Sequence, residues 1–233
     1  MESLKTIFNN AVHLFYPHVC TGCGSDLLSI ENLLCARCIT DLPQTNFAQH
    51  ANNPVEKIFW GRVPIAVAHS EFYFAKESLV QHLIHQLKYK NNKEIGIYLG
   101  EIMGRSLTHS HRFKNIDTMI PLPLYPDKER KRGYNQAAII CQGMSAVMDV
   151  PVMINNLIRQ RYTETQTKKH RLERWENVEG SFGVKDIAAL KGKHVLLVDD
   201  VITTGATIEA GCAAILKTAV GSISIATLTI ATK

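Results

Sequence analysis

The chain has 233 residues, of which 45% are hydrophobic and 20% are charged, and its net charge is +5. This size suits one mid-sized α/β domain with a small additional module, and the charge is too small to indicate nucleic-acid binding by itself. The sequence contains no apolar run near the roughly 20 residues of a membrane-spanning helix, nor the basic start and apolar core of a signal peptide. We therefore expect a cytoplasmic protein without membrane insertion.

Four of the six cysteines lie near the N-terminus in the spacing C-x2-C-x11-C-x2-C. Two such pairs in a cytosolic protein indicate a structural zinc site, because each pair can supply two corners of a tetrahedron. Four thiolates also leave no open coordination position for catalysis. Two disulfides or redox-active pairs are the alternatives. The predicted Zn²⁺ ligands are Cys20, Cys23, Cys35 and Cys38.

Two further segments flank this cysteine cluster. Residues 3–16 carry apolar side chains at helical intervals, which predicts a helix that docks onto the zinc module. Residues 41–54 are polar and contain two prolines and three asparagines, so they are the best candidate for a linker. We therefore predict two domains, an N-terminal helix with a zinc ribbon over residues 1–50 and a larger domain over residues 51–233.

The remaining chain alternates between strand-like and helix-like patterns. Strands are predicted within residues 63–74 and over residues 118–122, 195–198 and 222–230, and helices over residues 76–90, 95–107, 134–148 and 206–219. Such alternation is typical of α/β proteins in which helices cover both faces of a parallel sheet. The predicted fold class is a doubly wound, mostly parallel sheet with a small N-terminal zinc-ribbon module.

The first of two basic segments, residues 128–136, follows the strand that is predicted to end near Leu122. Its sequence is Lys-Glu-Arg-Lys-Arg-Gly-Tyr-Asn-Gln. Arg132 and the two basic residues before it can neutralise a polyanion such as pyrophosphate, and Gly133 lets the backbone approach that anion closely. A solvated basic turn is the alternative interpretation.

The second basic segment, residues 159–182, is long, polar and rich in charged residues, and it includes Arg161 and Arg174. A loop of this length inside a compact domain is often functional or mobile. A cationic lid here would exclude water from a bound substrate and stabilise a departing pyrophosphate. An exposed charged loop or helix is the alternative.

Residues 195–207 are the most informative part of the chain and read Val-Leu-Leu-Val-Asp-Asp-Val-Ile-Thr-Thr-Gly-Ala-Thr. The four apolar residues predict a strand that is buried on both faces, with Asp199 and Asp200 at its carboxyl end, where open α/β sheets bind ligands. Paired carboxylates can accept hydrogen bonds from vicinal sugar hydroxyls, or hold Mg²⁺ directly or through water. The hydroxyl-rich turn that follows would present N–H groups to an anion at a helix N-terminus. The alternative is a buried strand with local caps for the next helix.

These residues resemble the binding motif for phosphoribosyl pyrophosphate (PRPP) in the type I phosphoribosyltransferases. The resemblance implies that Asp199 and Asp200 contact the ribose 2′- and 3′-hydroxyls. It also implies a group of residues that wraps the 5′-phosphate, namely Thr203, Thr204, Gly205, Ala206 and Thr207.

Several other motifs resemble the ComF branch of that superfamily, in which a domain similar to amidophosphoribosyltransferases follows an N-terminal zinc ribbon. They are Ile120-Pro-Leu-Pro-Leu124, Arg132-Gly-Tyr-Asn-Gln-Ala137, Thr165-Gln166, Arg174-x-x-Asn-Val178, Gly180-Ser-Phe182 and Leu87-Lys-Tyr89. The path from Gln166 to Leu172 is longer than is usual in the family. The resulting candidates for contacts to pyrophosphate or in a lid are Lys88, Arg132, Gly133, Arg161 and Arg174.

Membership of this branch would imply a link to natural transformation, in which incoming single-stranded DNA is handled beside a helicase partner. In one hypothesis the protein binds PRPP with Mg²⁺, and a nucleophilic nitrogen displaces pyrophosphate, which would make it a phosphoribosyltransferase, that is, a glycosyltransferase acting on PRPP. In the other it is a non-catalytic adaptor that binds single-stranded DNA and a competence helicase through the zinc ribbon and the basic loops. A PRPP-sensing regulator of duplex DNA ranks last, because no helix-turn-helix segment is recognisable.

Overall fold

The computed structural model describes residues 18–26, 32–159 and 181–231 of the chain. The strands in these parts are β1 (Ala68–Phe74), β2 (Thr118–Pro121), β3 (Leu157–Arg159), β4 (Phe182–Val184), β5 (His194–Ile202) and β6 (Ser222–Ala231). The helices are α1 (Ala36–Thr40), α2 (Pro54–Phe59), α3 (Leu79–Tyr89), α4 (Lys93–Thr108), α5 (Pro126–Arg132), α6 (Gln136–Met148) and α7 (Ala206–Leu216). The predicted helix over residues 3–16 lies outside the described residues.

Four strands form a parallel sheet in the order β1-β6-β5-β2, whereas β3 and β4 pair antiparallel in a separate ribbon. The two central strands, β6 and β5, are largely buried on both faces, and residues 195–198 of β5 are fully buried. Such continuous burial is expected when helices cover both faces of the sheet.

Helices do cover both faces. One buried core lies between the sheet and α3, α4 and α6, and a second core lies between the sheet and α2, α7 and the β3–β4 ribbon. The predicted doubly wound, mostly parallel sheet is therefore confirmed. Among the described residues, no helix combines the length and the apolar character that crossing a membrane would require.

Strand β5 is longer than its apolar run predicts. Its pairing with β2 ends where Val198 meets Pro121, but its pairing with β6 continues to Ile202. Asp199 and Asp200 consequently lie inside the strand rather than after it. Because the shorter neighbour β2 has already ended, the two acids still lie at the open carboxyl edge of the sheet.

Local caps explain where several helices begin. The helix predicted over residues 76–90 begins only at Leu79, because the Ser78 side chain accepts the N–H of Gln81. Similarly, the helix predicted from residue 134 begins at Gln136, where the Asn135 side chain accepts the N–H of Ala137. These hydrogen bonds satisfy N–H groups that lack partners in the first turn of a helix.

Two predictions about connecting segments need correction. The basic segment at residues 128–136 is not a loop throughout, because α5 includes its first five residues and ends before Gly133. The supposed linker at residues 41–54 packs on the main domain. Within it, the Thr45 N–H donates to Glu71 O, and Pro43 O accepts from the Tyr73 N–H. The boundary at residue 50 stays a prediction.

Candidate functional site

The four N-terminal cysteines come together in the structure. Their sulfur atoms all lie within 4.8 Å of one another, and the Sγ atoms of Cys23 and Cys35 are 3.7 Å apart. The ligands of a tetrahedral zinc–thiolate centre would be about 3.8 Å apart, given a Zn–S bond of about 2.3 Å. The predicted grouping is therefore confirmed, and the cluster has a suitable size for one zinc ion.

The surroundings of the cysteines favour metal-binding thiolates. The N–H of Cys35 donates to Sγ of Cys20 at 3.2 Å, and the N–H of Cys38 donates to Sγ of Cys35 at 3.5 Å. Hydrogen bonds from the Ser25 side chain and backbone lower the pKa of Cys23 to about 6. Burial raises the pKa of Cys38 far above its usual range, and a bound cation would oppose that rise. All six cysteines are free thiols, and a set of four sulfur donors suits Zn²⁺.

This cysteine module docks on the N-terminal end of α3. Nε2 of His82 lies 3.0 Å from the backbone oxygen of Thr21. Gly22 packs so closely that an added Cβ would lie 2.8 Å from Cδ1 of Leu79. Cys20 and Cys38 belong to the same buried core as α3, α4 and α6, so the folding of the module and of the larger domain are linked.

A second site lies around Asp199 and Asp200, which are half-buried at the carboxyl edge of the sheet. Oδ1 of Asp199 accepts the N–H of Asp200 at 2.8 Å, and Nζ of Lys88 lies 2.7 Å from Oδ2 of Asp200. Lys88 comes from the last turn of α3, so the fold brings together two predicted site residues that are separated by more than one hundred positions.

The acid pair has an unusual protonation equilibrium. Burial, and next the charge of Asp200, raise the pKa of Asp199 to about 8, although the Asp200 N–H, Lys88 and Arg159 oppose the rise. The shift favours the protonated form of Asp199 near neutral pH. A protonated carboxyl can donate a hydrogen bond as well as accept one, which suits contact with a hydroxyl group.

The turn between β5 and α7 presents polar groups to solvent. Thr203, Thr204 and Thr207 are exposed, whereas Gly205 is buried in a left-handed conformation with φ of 77°. Gly205 has no side chain with which to cap α7, and the N–H of Ala206 meets Oγ1 of Thr204 at 3.5 Å. The next N–H groups of the first turn have no partner within the helix. Ala206 is the first residue of α7. The arrangement suits a phosphate.

Two contacts that hold this turn are not evident in the sequence. Nη1 of Arg62 donates to the backbone oxygen of Thr204 at 2.8 Å, and the same guanidinium pairs with Glu209 on α7. Beneath the turn, Ile58 and Phe59 of α2 approach Gly205. Arg62 is separated from these partners by 142 and 147 positions, and no local pattern marks it.

The predicted pyrophosphate residues are only partly described. Arg132 donates to Oε1 of Gln136 at 2.8 Å. Its guanidinium lies 5.5 Å from the ring centroid of Tyr89, the residue that follows Lys88 in the chain. Gly133 ends α5 in a left-handed conformation and is exposed. Arg161 and Arg174 lie outside the described residues, so their predicted roles stay predictions.

Arg159 is a further basic residue of this site that the sequence marks only as the start of the charged segment. Its guanidinium lies between two aromatic rings, 3.5 Å from the centroid of Tyr125 and 4.9 Å from that of Phe182. Its buried Nε has no hydrogen-bond partner among the described residues. Since its charge also lowers the pKa of Asp199, Arg159 acts electrostatically on the acid pair.

Known proteins are similar to most of this chain. The model of the phosphoribosyl transferase domain family matches residues 128–232, which include the acid pair and the threonine turn. Competence protein F of Haemophilus influenzae is 30% identical over 206 residues, which cover 85% of this chain and 84% of that protein. The chain belongs to the ComF family. Its sheet, with helices on both faces, is the type I phosphoribosyltransferase fold, and the four-cysteine cluster precedes it.

Two other relatives extend the comparison of this ComF-family protein. Competence protein ComFC of Bacillus subtilis is 26% identical over 200 residues, which cover 85% of this chain and 78% of that protein. DNA utilization protein YhgH of Escherichia coli is 27% identical over 146 residues, which cover 61% of this chain and 63% of that protein.

Proposed function

We propose that this ComF-family protein binds PRPP at the carboxyl edge of β5 and serves DNA uptake in natural transformation. One observation carries the proposal. A half-buried acid pair stands directly before the exposed Thr203 and Thr204 and the N-terminus of α7, where Thr207 is also exposed. A sugar that carries vicinal hydroxyls and a phosphate a few ångströms apart would bind to both the acid pair and the turn.

Each part of PRPP would have its own contacts. Asp199 and Asp200 would bind the ribose 2′- and 3′-hydroxyls. The 5′-phosphate would lie in the turn formed by Thr203, Thr204, Gly205, Ala206 and Thr207. The pyrophosphate would lie towards Lys88, Arg132 and Gly133, with Arg161 and Arg174 as candidates for a lid. Mg²⁺ bound with PRPP would neutralise part of the charge on the leaving pyrophosphate.

A transfer reaction would need little from the protein beyond positioning. The lone pair of an acceptor nitrogen would form a bond to the anomeric carbon of the ribose, and the bond from that carbon to the pyrophosphate oxygen would break with its electrons. The acceptor nitrogen would then lose its proton. The acid pair would orient the sugar, and the cationic residues would stabilise the departing pyrophosphate. No side chain would act as a covalent nucleophile.

Calorimetric titration with PRPP and Mg²⁺ tests the proposed site. The zinc-loaded protein should show saturable binding, and Asp199→Asn/Asp200→Asn should abolish it because both hydroxyl contacts are altered. Asp149→Asn is the matched control, since Asp149 is exposed and its left-handed conformation suits asparagine equally well. Equal binding by the double variant, or no binding by the folded wild type, would refute the site.

A second candidate function is that of an adaptor which binds single-stranded DNA and a helicase partner. The relatives named for competence and DNA utilization favour it, and so does the exposed basic surface of α5 with Lys128, Arg130 and Lys131. Backbone phosphates would meet these cations, and a base could stack on the exposed ring of Tyr89.

Fluorescence anisotropy with a labelled oligonucleotide separates the two functions. Binding that weakens steeply with salt, is reduced by Arg130→Ala/Lys131→Ala, and survives Asp199→Asn/Asp200→Asn would support the adaptor. Recruitment of the helicase by the zinc module would be lost in Cys20→Ser/Cys23→Ser, provided that the main domain remains folded. Release of pyrophosphate with an acceptor from a panel of bases and ammonia would instead support the enzyme.

A further inference from the structure

Lys88 makes a short and largely buried contact with the acid pair. Its ammonium lies 2.7 Å from Oδ2 of Asp200, and the exposed fractions of the two side chains are only 18% and 13%. The lysine stands in the last turn of α3, where the helix dipole favours a cation. The turn is fixed in place because the Tyr134 hydroxyl donates to the backbone oxygen of Leu87. An anchored helix end therefore carries the ammonium that contacts Asp200.

The internal contacts use one oxygen of each acid. Oδ1 of Asp199 accepts the N–H of Asp200, and Oδ2 of Asp200 meets Lys88. Within the part of the chain that the structure describes, the second carboxylate oxygen of each residue forms no hydrogen bond or ion pair. One free oxygen on each of two adjacent acids matches the two hydroxyls of a vicinal diol.

The charges around the pair are balanced. Lys88 and Arg159 both act electrostatically on Asp199, so two basic groups face two acids. The net charge of these four groups is zero when both acids are ionised and +1 when Asp199 holds a proton. A divalent cation would find no net negative charge to attract it, and it would have to compete with an ammonium already in contact with Asp200.

We propose that Lys88 is a built-in counterion of the acid pair, which takes the place of a metal ion there and leaves the pair free to hold a sugar diol. This inference rests on the proposed phosphoribosyl site and sharpens it. The ribose part of the ligand would bind without metal, and Mg²⁺ would enter only with the pyrophosphate part.

Binding of Mn²⁺ to the zinc-loaded, full-length protein, followed by electron paramagnetic resonance, tests the counterion directly. Mn²⁺ takes the same oxygen ligands as Mg²⁺. We expect that wild type and Lys88→Arg lack a Mn²⁺ site that depends on the acid pair. Lys88→Gln should bind Mn²⁺ at least about tenfold more tightly than wild type, because a positive charge is lost beside two carboxylates. Lys88→Gln/Asp200→Asn should lose that gain.

Two outcomes of the Mn²⁺ experiment would overturn the counterion role of Lys88. If wild type binds Mn²⁺ and Asp199→Asn/Asp200→Asn removes that binding, the acids already hold a metal and the counterion role is wrong. This comparison does not require Lys88→Gln, so it decides the matter even if that variant fails to fold. Equal Mn²⁺ binding by wild type and a folded Lys88→Gln would also overturn the proposal.

Binding of ribose 5-phosphate tests the counterion role of Lys88 separately from the proposed function, because this ligand has the diol and the phosphate but no pyrophosphate. Saturation-transfer NMR should show the same affinity in metal-free buffer and with Mg²⁺, whereas Lys88→Gln should bind only with Mg²⁺. If wild type binds ribose 5-phosphate only with Mg²⁺, the counterion role of Lys88 is wrong. Failure to bind under both conditions would count against the phosphoribosyl site, while the Mn²⁺ result would still judge Lys88.

Discussion

Gly205 offers a quantitative test of how the threonine turn is held. Its φ is 77°, and an added Cβ would lie 2.6 Å from Cγ2 of Ile58 and 3.2 Å from Cε1 of Phe59. Gly205→Ala should therefore add backbone strain of about 1–2 kcal/mol and overpacking of about 1–3 kcal/mol. We expect the free energy of unfolding to fall by roughly 2–5 kcal/mol from these two effects.

Gly133 is a matched control for the backbone term. It has φ of 81°, and an added Cβ would meet no atom of the described residues within 4 Å. Gly133→Ala should consequently lower stability by only about 1–2 kcal/mol. Urea denaturation followed by circular dichroism measures both variants, and their difference isolates the contact between the turn and α2.

A Gly205→Ala variant that is no less stable than Gly133→Ala would show that the contact with α2 does not restrict position 205. A second check uses Ile58→Ala, which removes the nearest atom. Added to Gly205→Ala, it should recover part of the loss, with a coupling energy of about 0.5–3 kcal/mol. If the two changes are simply additive, Ile58 is not the residue that restricts position 205.

Three further predictions concern the acid pair, the cysteine cluster and α3. The folded pKa of Asp199, about 8, lies above its unfolded value, so the folded protein holds more protons and its stability falls as pH rises from about 4 to 8. Asp199→Asn should flatten this dependence and raise Tm at pH 8 more than at pH 5. A variant with the same pH profile as wild type would contradict the raised pKa of Asp199. Cys20→Ser should reduce bound zinc, measured by mass spectrometry, from about one per chain to almost none, whereas Cys141→Ala, a change in the buried core, should retain the zinc. Tyr134→Phe should lower the free energy of unfolding by about 1–3 kcal/mol, because it leaves the buried backbone oxygen of Leu87 without its donor; a loss in urea denaturation below the error of the measurement would show that water replaces the hydroxyl.

The local patterns of the sequence predicted the sheet and the grouping of the cysteines. Residues 195–198 are apolar because both faces of β5 are covered, and such a run is legible without any knowledge of its neighbours. The length of β5 could not be predicted in the same way. Asp199 and Asp200 remain in the strand because the long neighbour β6 pairs with Asp199 and then with Val201 and Ile202, and this partner is only known from the fold.

The supporting contacts of the site were also beyond prediction, because they join distant parts of the chain. Arg62 contacts Thr204 and Glu209, which are distant from it in the sequence, and no local pattern around Arg62 predicts these contacts. Lys88 was a candidate only through a family resemblance, and its contact with Asp200 differs from the predicted contact with pyrophosphate. Residues that bind by their own chemistry leave local patterns, whereas residues that position them do not.

The energetics of the acid pair argue that it is kept for function. Two adjacent carboxylates at a half-buried strand end oppose each other, and burial adds to the cost. Two basic residues from other parts of the fold offset this cost, namely Lys88 from α3 and Arg159 from β3. Apolar residues would fill the same strand positions without such support. The cost of two acids at this strand end supports the proposal that they bind a ligand, and the hydroxyls of a sugar diol would fit their free oxygens.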